Sequence, residues 1–235
     1  MKRKKRKNRK SHSMVVVLFL LMAIILDVLV IGVADYVYIK DIRESYSRMC
    51  SGAALVIASS VDGNIIDEMM EGEADEQYAA LKNQMENTLE QIPNLEHIYI
   101  YDIQRDGIYL LIDTDLKDYK IGDKIPYPPP FKEYKDLLCD GKTPGAFESK
   151  HDGQFYMTSL LPVCDLRGNC VCYVGCDIDM DEAYANRIEF IKHLAVIVSV
   201  PTFVIALGTA IFIKRRILSS IDCLDDYLKL YHQDN

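Results

Sequence analysis

Between Leu194 and Ile213 the chain runs for twenty residues without a charge, LAVIVSVPTFVIALGTAIFI. At about 1.5 Å rise per residue, a helix of that length reaches across a hydrocarbon core about 30 Å thick. Lys214, Arg215 and Arg216 follow at once. A second apolar run, Met14 to Ala34, comes after MKRKKRKNRK, in which eight of ten residues are basic. Both runs thus carry their basic flank at the outer end of the sequence, and basic residues beside a span mark its cytoplasmic side. The pattern predicts a cytoplasmic basic tail over 1–13, transmembrane helices over 14–34 and 193–213, an extracytoplasmic segment over 35–192, and a second cytoplasmic stretch over 214–235. Both termini are then inside, on a two-pass chain in the cell membrane.

The net charge of −8 conceals a partition: the first ten residues carry +8, and the tail from residue 214 balances four basic against four acidic side chains. Asp27 in the first apolar run carries −1, so the outer segment is left with −15. Such an excess disfavours contact with nucleic acid or anionic lipid. The basic N-terminus, lying beside a span, reads as a topogenic, lipid-contacting flank. A cleaved signal peptide is the competing reading of the first run, although the run outlasts a usual signal core and Gly32-Val33-Ala34 is a weak cleavage site. Asp27 is the oddity, since an acidic residue inside a span costs about 2.5–3.5 kcal/mol on insertion scales. It is expected either to face protein, with Ser199, Thr202, Thr209 or Asp27 of another subunit as candidate partners, or to be tolerated as the neutral acid.

From Tyr36 the polarity changes but no breaker intervenes, so the first span is expected to continue outward as a helix. Ile42, Tyr46, Met49, Ala53, Ile57 and Val61 recur at intervals of three and four, the stripe of an amphipathic helix that packs lengthwise on a sheet. Asp62-Gly63-Asn64 ends it. A second helical pattern covers about 75–91, with Tyr78, Leu81, Met85 and Leu89 on one face, and Pro93 closes it. After Pro93 the period falls to two: His97, Tyr99, Tyr101 and Ile103 alternate with Ile98, Ile100 and Asp102, and Asp106-Gly107 offers a hairpin turn into 108–114. The prolines of 115–130 favour an extended loop, followed by a short helix over 131–139. Strands over 146–150, 155–164 and 170–179, separated by turns at Asp152-Gly153 and Arg167-Gly168-Asn169, complete a five-stranded antiparallel sheet of α+β type.

Cys164, Cys170, Cys172 and Cys176 invite a zinc reading. Strand geometry argues against it, because Cys170 and Cys176 on one strand face lie about 20 Å apart and cannot converge on one ion. Small side chains packing on an inner sheet face account for them. A disulfide between Cys164 and Cys170 stays open in an extracytoplasmic domain.

The long helix leaving the first span, the run HIYIYDIQRDGIYLLIDTD and the closing NCVCYVGCDIDM together resemble the Cache domains, PAS-like extracytoplasmic sensors of bacterial receptors. The resemblance covers about 36–190. Gly175-Cys176-Asp177-Ile178 looks like the last strand of such domains, where glycine and aspartate often stand. Arg216 to Tyr231 is similar to the opening helix of a HAMP relay, although Ser220 stands where that helix often has proline. The resemblance implies the input half of a histidine kinase or PPM-type phosphatase receptor, with an output part that this chain does not contain.

No catalytic constellation is expected: the five histidines (His12, His97, His151, His193, His232) are dispersed, and no nucleophile elbow or phosphate loop occurs. No cofactor is implied. Alternation places Tyr99 and Tyr101 on one face of the first strand and Tyr109 and Asp113 on one face of the second. It pairs Tyr156 with Thr158 on the fourth strand and Tyr173 with Asp177 on the last. If these faces align, tyrosine hydroxyls and two carboxylates surround a cavity suited to a ligand with donor groups, such as an amine or a polar metabolite. Tyrosines on half-exposed strands also occur for packing alone. Two functions are in view: a small-molecule sensor module of a signalling receptor, and a membrane-anchored regulatory protein acting through a partner membrane protein. A parallel homodimer is expected along the first span, its helical extension and the seam Ile217, Ile221, Leu224 and Leu228.

Overall fold

A computed structural model describes residues 2–116, 118–151 and 153–212, with side-chain surroundings from residue 17 onward. The HAMP-like stretch and its seam lie outside the described residues, as does Asp152 of one expected turn. Contacts divide the chain into two units, Met1–Tyr38 with Asn186–Asn235, and Ile39–Ala185.

The first unit contains most of two long helices, α1 (Lys2–Ala58) and the C-terminal part of α6 (Asp181–Phe212). Both contain stretches long and apolar enough to cross a membrane. Helix α6 continues through Pro201, and the Thr202 hydroxyl donates to the Val198 carbonyl at 2.8 Å. Within this unit Asp35 and Arg187 form a two-pronged ion pair, Nε to Oδ1 and Nη2 to Oδ2 at 2.7 Å each. One helical turn further on, Tyr38 stacks on Phe190 with ring centroids 4.6 Å apart.

In the second unit α1 ends where the hydroxyls of Ser59 and Ser60 turn back to the Val56 carbonyl and the Asp62 carboxylate accepts from Asn64. Gly63 is required there: a Cβ would lie 2.5 Å from the Cys164 carbonyl oxygen. A one-turn helix not expected from the sequence, α2 (Ile66–Glu71), tucks Ile66 and Met69 inward. Helix α3 (Asp75–Gln91) takes the expected bounds and buries Leu81 and Met85. The strands are β1 (Leu95–Gln104), β2 (Gly107–Asp113), β3 (Lys124–Ile125), β4 (Phe147–His151), β5 (Gln154–Cys164) and β6 (Cys170–Asp179). They form one antiparallel sheet in the order β3-β2-β1-β6-β5-β4.

The sheet therefore has six strands, not five. Ile125 precedes Pro126, and a residue before proline is held extended, which lays Lys124 and Ile125 alongside Tyr109 and Ile108. Gly107 belongs to this pairing, because a Cβ would lie 2.5 Å from Lys124 Cε and 3.2 Å from the Ile125 oxygen. It is the first residue of β2, paired with Gln104, so the hairpin turns on Arg105-Asp106, one residue earlier than expected.

Alternation gives the sheet two unlike faces, interrupted in β2 where a register shift against β1 turns both Leu111 and Ile112 to one side. One carries Ile98, Ile100, Leu111, Ile112, Met157, Cys172, Val174, Cys176 and Ile178 against Ala53, Ala54 and Ile57 of α1 and Leu81 and Met85 of α3. Burying each large aliphatic side chain there contributes about 1.5–3 kcal/mol. The opposite face carries Tyr99, Tyr101, Ile103, Ile108, Leu110, Leu160 and Tyr173 under Tyr127, Phe131 and Leu138. These covering residues come from the segment holding α4 (Pro129–Lys132) and α5 (Lys135–Cys139). Cys170 corrects the sequence reading, since it packs with the tyrosine face while Cys172 and Cys176 face the helices. The ladder register shifts beside it, between Val163 and Cys164. All six described cysteines are free thiols, and Cys164 stands opposite Cys170 in the ladder.

Candidate functional site

Strand register assembles the polar groups of the second face. Asp177 on β6 stands between His97 on β1 and Thr158 on β5, and Tyr99 stands between Asp113 on β2 and Gly175 on β6. Gly175 leaves room for the Tyr99 ring, whose Cε2 would lie 1.9 Å from any Cβ built there. The ring crosses the bare backbone and points its hydroxyl at Asp177 Oδ1, 3.4 Å away. The Thr158 hydroxyl donates to the same oxygen at 2.6 Å, and Ser149 Oγ on β4 lies 2.7 Å from Thr158 Oγ1. Burial pushes the Asp177 carboxyl up to about 6, against the opposing pull of Thr158, His97 and Tyr99. Burial likewise holds the Tyr99 phenol well above its ordinary range.

Asp113 forms a second node. Tyr101 donates to its Oδ2, while Oδ1 accepts the backbone amides of Asp115 at 2.8 Å and Leu116 at 3.1 Å. This turn starts the covering segment, and the Asp113 amide donates to the Tyr119 hydroxyl at 2.6 Å. Tyr99 and Tyr101 stack with centroids 4.5 Å apart, Phe131 lies 6.3 Å from Tyr99, and Phe147 meets both Phe131 and Tyr134.

Five of the seven residues singled out in the sequence thus fall into two neighbouring hydrogen-bonded nodes, Tyr99 and Thr158 on Asp177 and Tyr101 on Asp113, joined by the stacked rings of Tyr99 and Tyr101. They bond one another where the sequence reading expected them to surround a cavity; Tyr101, Asp113 and Thr158 are buried. Tyr173 is not among them: its hydroxyl donates to the carbonyls of Leu138 at 2.7 Å and Lys142 at 3.2 Å, pinning the end of α5 to the sheet. Tyr156 lies at the margin, bonded to Gln154 at 2.9 Å and Glu96 at 3.2 Å, with its ring tilted on His97 at 5.6 Å. Tyr109 points elsewhere, to Asp106 at 2.9 Å.

The cluster reaches solvent at one end. Asp177, Ser149 and His97 are part-exposed there, and Glu96 and Asp115 are exposed. The imidazole of His97 lies 3.8 Å from Glu96 and 4.0 Å from Asp115. The charged groups at this mouth are therefore carboxylates with one imidazole between them. Sequence reasoning missed Ser149, whose place depends on the pairing of β4, and passed over His97, which the period of two already put on the face of Tyr99.

No family model matches the chain, and no curated protein matches it. Among solved structures it is similar to the sensor domain of DcuS from E. coli, at 12% identity over 63% of this chain and 97% of that one, with a TM-score of 0.43. It is similar to the sensor domain of the histidine kinase DctB from V. cholerae, at 16% identity over 68% of this chain and 57% of that one, TM-score 0.47. A third is the ligand-binding domain of the Campylobacter jejuni chemoreceptor Tlp3 in complex with 4-methylisoleucine, at 12% identity over 70% of this chain and 61% of that one, TM-score 0.40. The chain spans about three fifths of the length of the latter two.

Proposed function

We propose that residues 35–192 are an extracytoplasmic sensor module that binds a small ligand bearing a protonated amine or similar donor group and passes the event to two membrane spans. The observation that carries this reading is Asp177: a carboxylate at the open end of a buried hydroxyl network, among further acidic groups. An anion entering there meets repulsion. A cationic donor restores to Asp177 the solvation that burial removed, so it binds the ionised form. The dispersed histidines support a binding role over a catalytic one.

The route outward begins at β4. Ser149 faces the site, and its neighbour Glu148 faces the other way, as adjacent residues of a strand must. Glu148 pairs with Arg43 of α1 through both guanidinium prongs and lies near the Tyr184 phenol in the first turns of α6. A displacement of this edge strand therefore pulls on both helices, and α6 follows β6 after one residue, Met180. We place both termini in the cytoplasm and expect a parallel homodimer along α1, where Leu55 and Val56 stand exposed beside Gly52. Ile42 is instead turned to the core.

The test is thermal unfolding of the full chain in nanodiscs against matched panels of amines and carboxylic acids. Amines are expected to raise the midpoint, because a ligand that binds only the folded state stabilises by about 2.7 kcal/mol at a hundredfold excess over its Kd. A response confined to carboxylic acids sinks the reading.

A further inference from the structure

Asp27 lies within the apolar stretch of α1, and its Oδ1 is buried with no hydrogen-bond partner among the described residues. The hydroxyls expected to answer it are engaged elsewhere or out of reach. Thr202 donates to Val198 and Thr209 to Ile205, both on their own helix. Ser199 lines the same cleft and leaves that oxygen unpaired. The cleft lies between α1 and α6 inside the first unit, holds about 630 Å³, and is lined by Ala23, Asp27, Ile31, Ser199, Thr202 and Ala206 among other apolar side chains. Along α1 it runs from Leu20 to Ile31, roughly three helical turns. Ala23 and Ser199, half-buried along it, leave room for close approach of another backbone.

A long, narrow, apolar trough with one unanswered carboxylate oxygen fits a helix that brings a cation. This chain has none to offer: no Lys, Arg or His occurs between Met14 and Ala34 or between Leu194 and Phe212. A second copy would set carboxylate against carboxylate. We propose that this cleft seats a membrane-spanning helix of a partner protein carrying a lysine or arginine at mid-depth, paired with Asp27. The proposal rests on the membrane reading above and adds to it a heteromeric partner recognised by charge inside the bilayer.

The experiment uses the full chain, labelled with a donor fluorophore in phosphatidylcholine vesicles, and an acceptor-labelled synthetic Leu/Ala span with one central lysine. Resistance to alkaline extraction is checked first, and an extractable chain overturns the membrane reading itself. With the chain inserted, energy transfer to the lysine span is expected to exceed that to a span with leucine at the same place by about three- to thirtyfold in apparent affinity. The advantage should vanish in Asp27→Asn, survive in Asp27→Glu, and fall in Ser199→Leu, which fills the trough while keeping the carboxylate. Equal transfer to both spans, or a lysine advantage that persists in Asp27→Asn, overturns the proposal. Self-association of the chain that depends on Asp27 and ignores the lysine span gives the cleft to a second copy instead.

Discussion

The two faces of the sheet are built from the same strands and alternate residue by residue, yet they solve different problems. Toward the helices, Ile98, Ile100, Val174 and Ile178 meet apolar partners, and what specifies that face is chiefly shape and volume, with few directional bonds such as Ser51 to Ser159. On the other face, Tyr99, Tyr101 and Thr158 each place a hydroxyl against a carboxylate, so every side chain constrains the position of the next. Close packing makes a face stable, whereas directional bonding among buried polar groups makes it particular. The proposed site lies on the second kind of face, where a ligand that disturbs one bond to Asp177 disturbs the other bond to the same carboxylate.

Substitutions can break that contrast. Ile100→Ala should cost about 2–5 kcal/mol of unfolding free energy by leaving a cavity, and chemical denaturation would measure it; amine recognition by the folded fraction should be unchanged. Gly175→Ala drives a methyl into the Tyr99 ring. It is expected to cost about 1–3 kcal/mol and also to weaken ligand binding, which calorimetry would detect. A loss of stability without any loss of binding would mean that the Tyr99 hydroxyl is irrelevant to the site.

Asp177→Asn sharpens the comparison through pH. The carboxyl titrates at about 6 in the folded chain against an ordinary 3.8, so the native state holds a proton that the unfolded state has released. The stability linked to that proton is fully present below 3.8 and is lost as pH rises through about 6. Melting curves at pH 4 and pH 7 should therefore show the asparagine variant gaining on the parent as pH rises. Amine affinity of the parent should climb over the same window and that of the variant should stay flat. The smallest effect is expected for Glu148→Gln, which removes a part-exposed ion pair. Stability should move by less than about 1 kcal/mol, while ligand-dependent change at a spin label on α6 should shrink.

Much of this arrangement could be read from the chain. The period of two through His97, Tyr99, Tyr101 and Ile103 gave β1 its faces, and the four-residue rhythm of Ala53, Ile57 and Val61 gave α1 its buried stripe. What escaped were facts of register and of local backbone. Ser149 joins Thr158 only because β4 pairs with β5 at that offset. Lys124 and Ile125 form a strand too short to carry a pattern, visible only in what Gly107 would otherwise strike. Tyr173 has the same periodicity as Asp177, and nothing in the sequence distinguishes a phenol that ties down α5 from one that faces a site.

The strand order also governs when the domain can form. The hairpin of β1 with β2 and the meander of β4, β5 and β6 are local and can close as soon as they are made. They are joined through the ladder in which Leu95 meets Ile178, however, and that ladder waits for the last strand of the domain. Loop closure over such a separation is slow compared with hairpin formation. The carboxyl on which the proposed site rests, Asp177, is thus among the last residues needed to weld the two halves. A nascent chain has neither a finished sheet nor a site until the ribosome has moved on into α6.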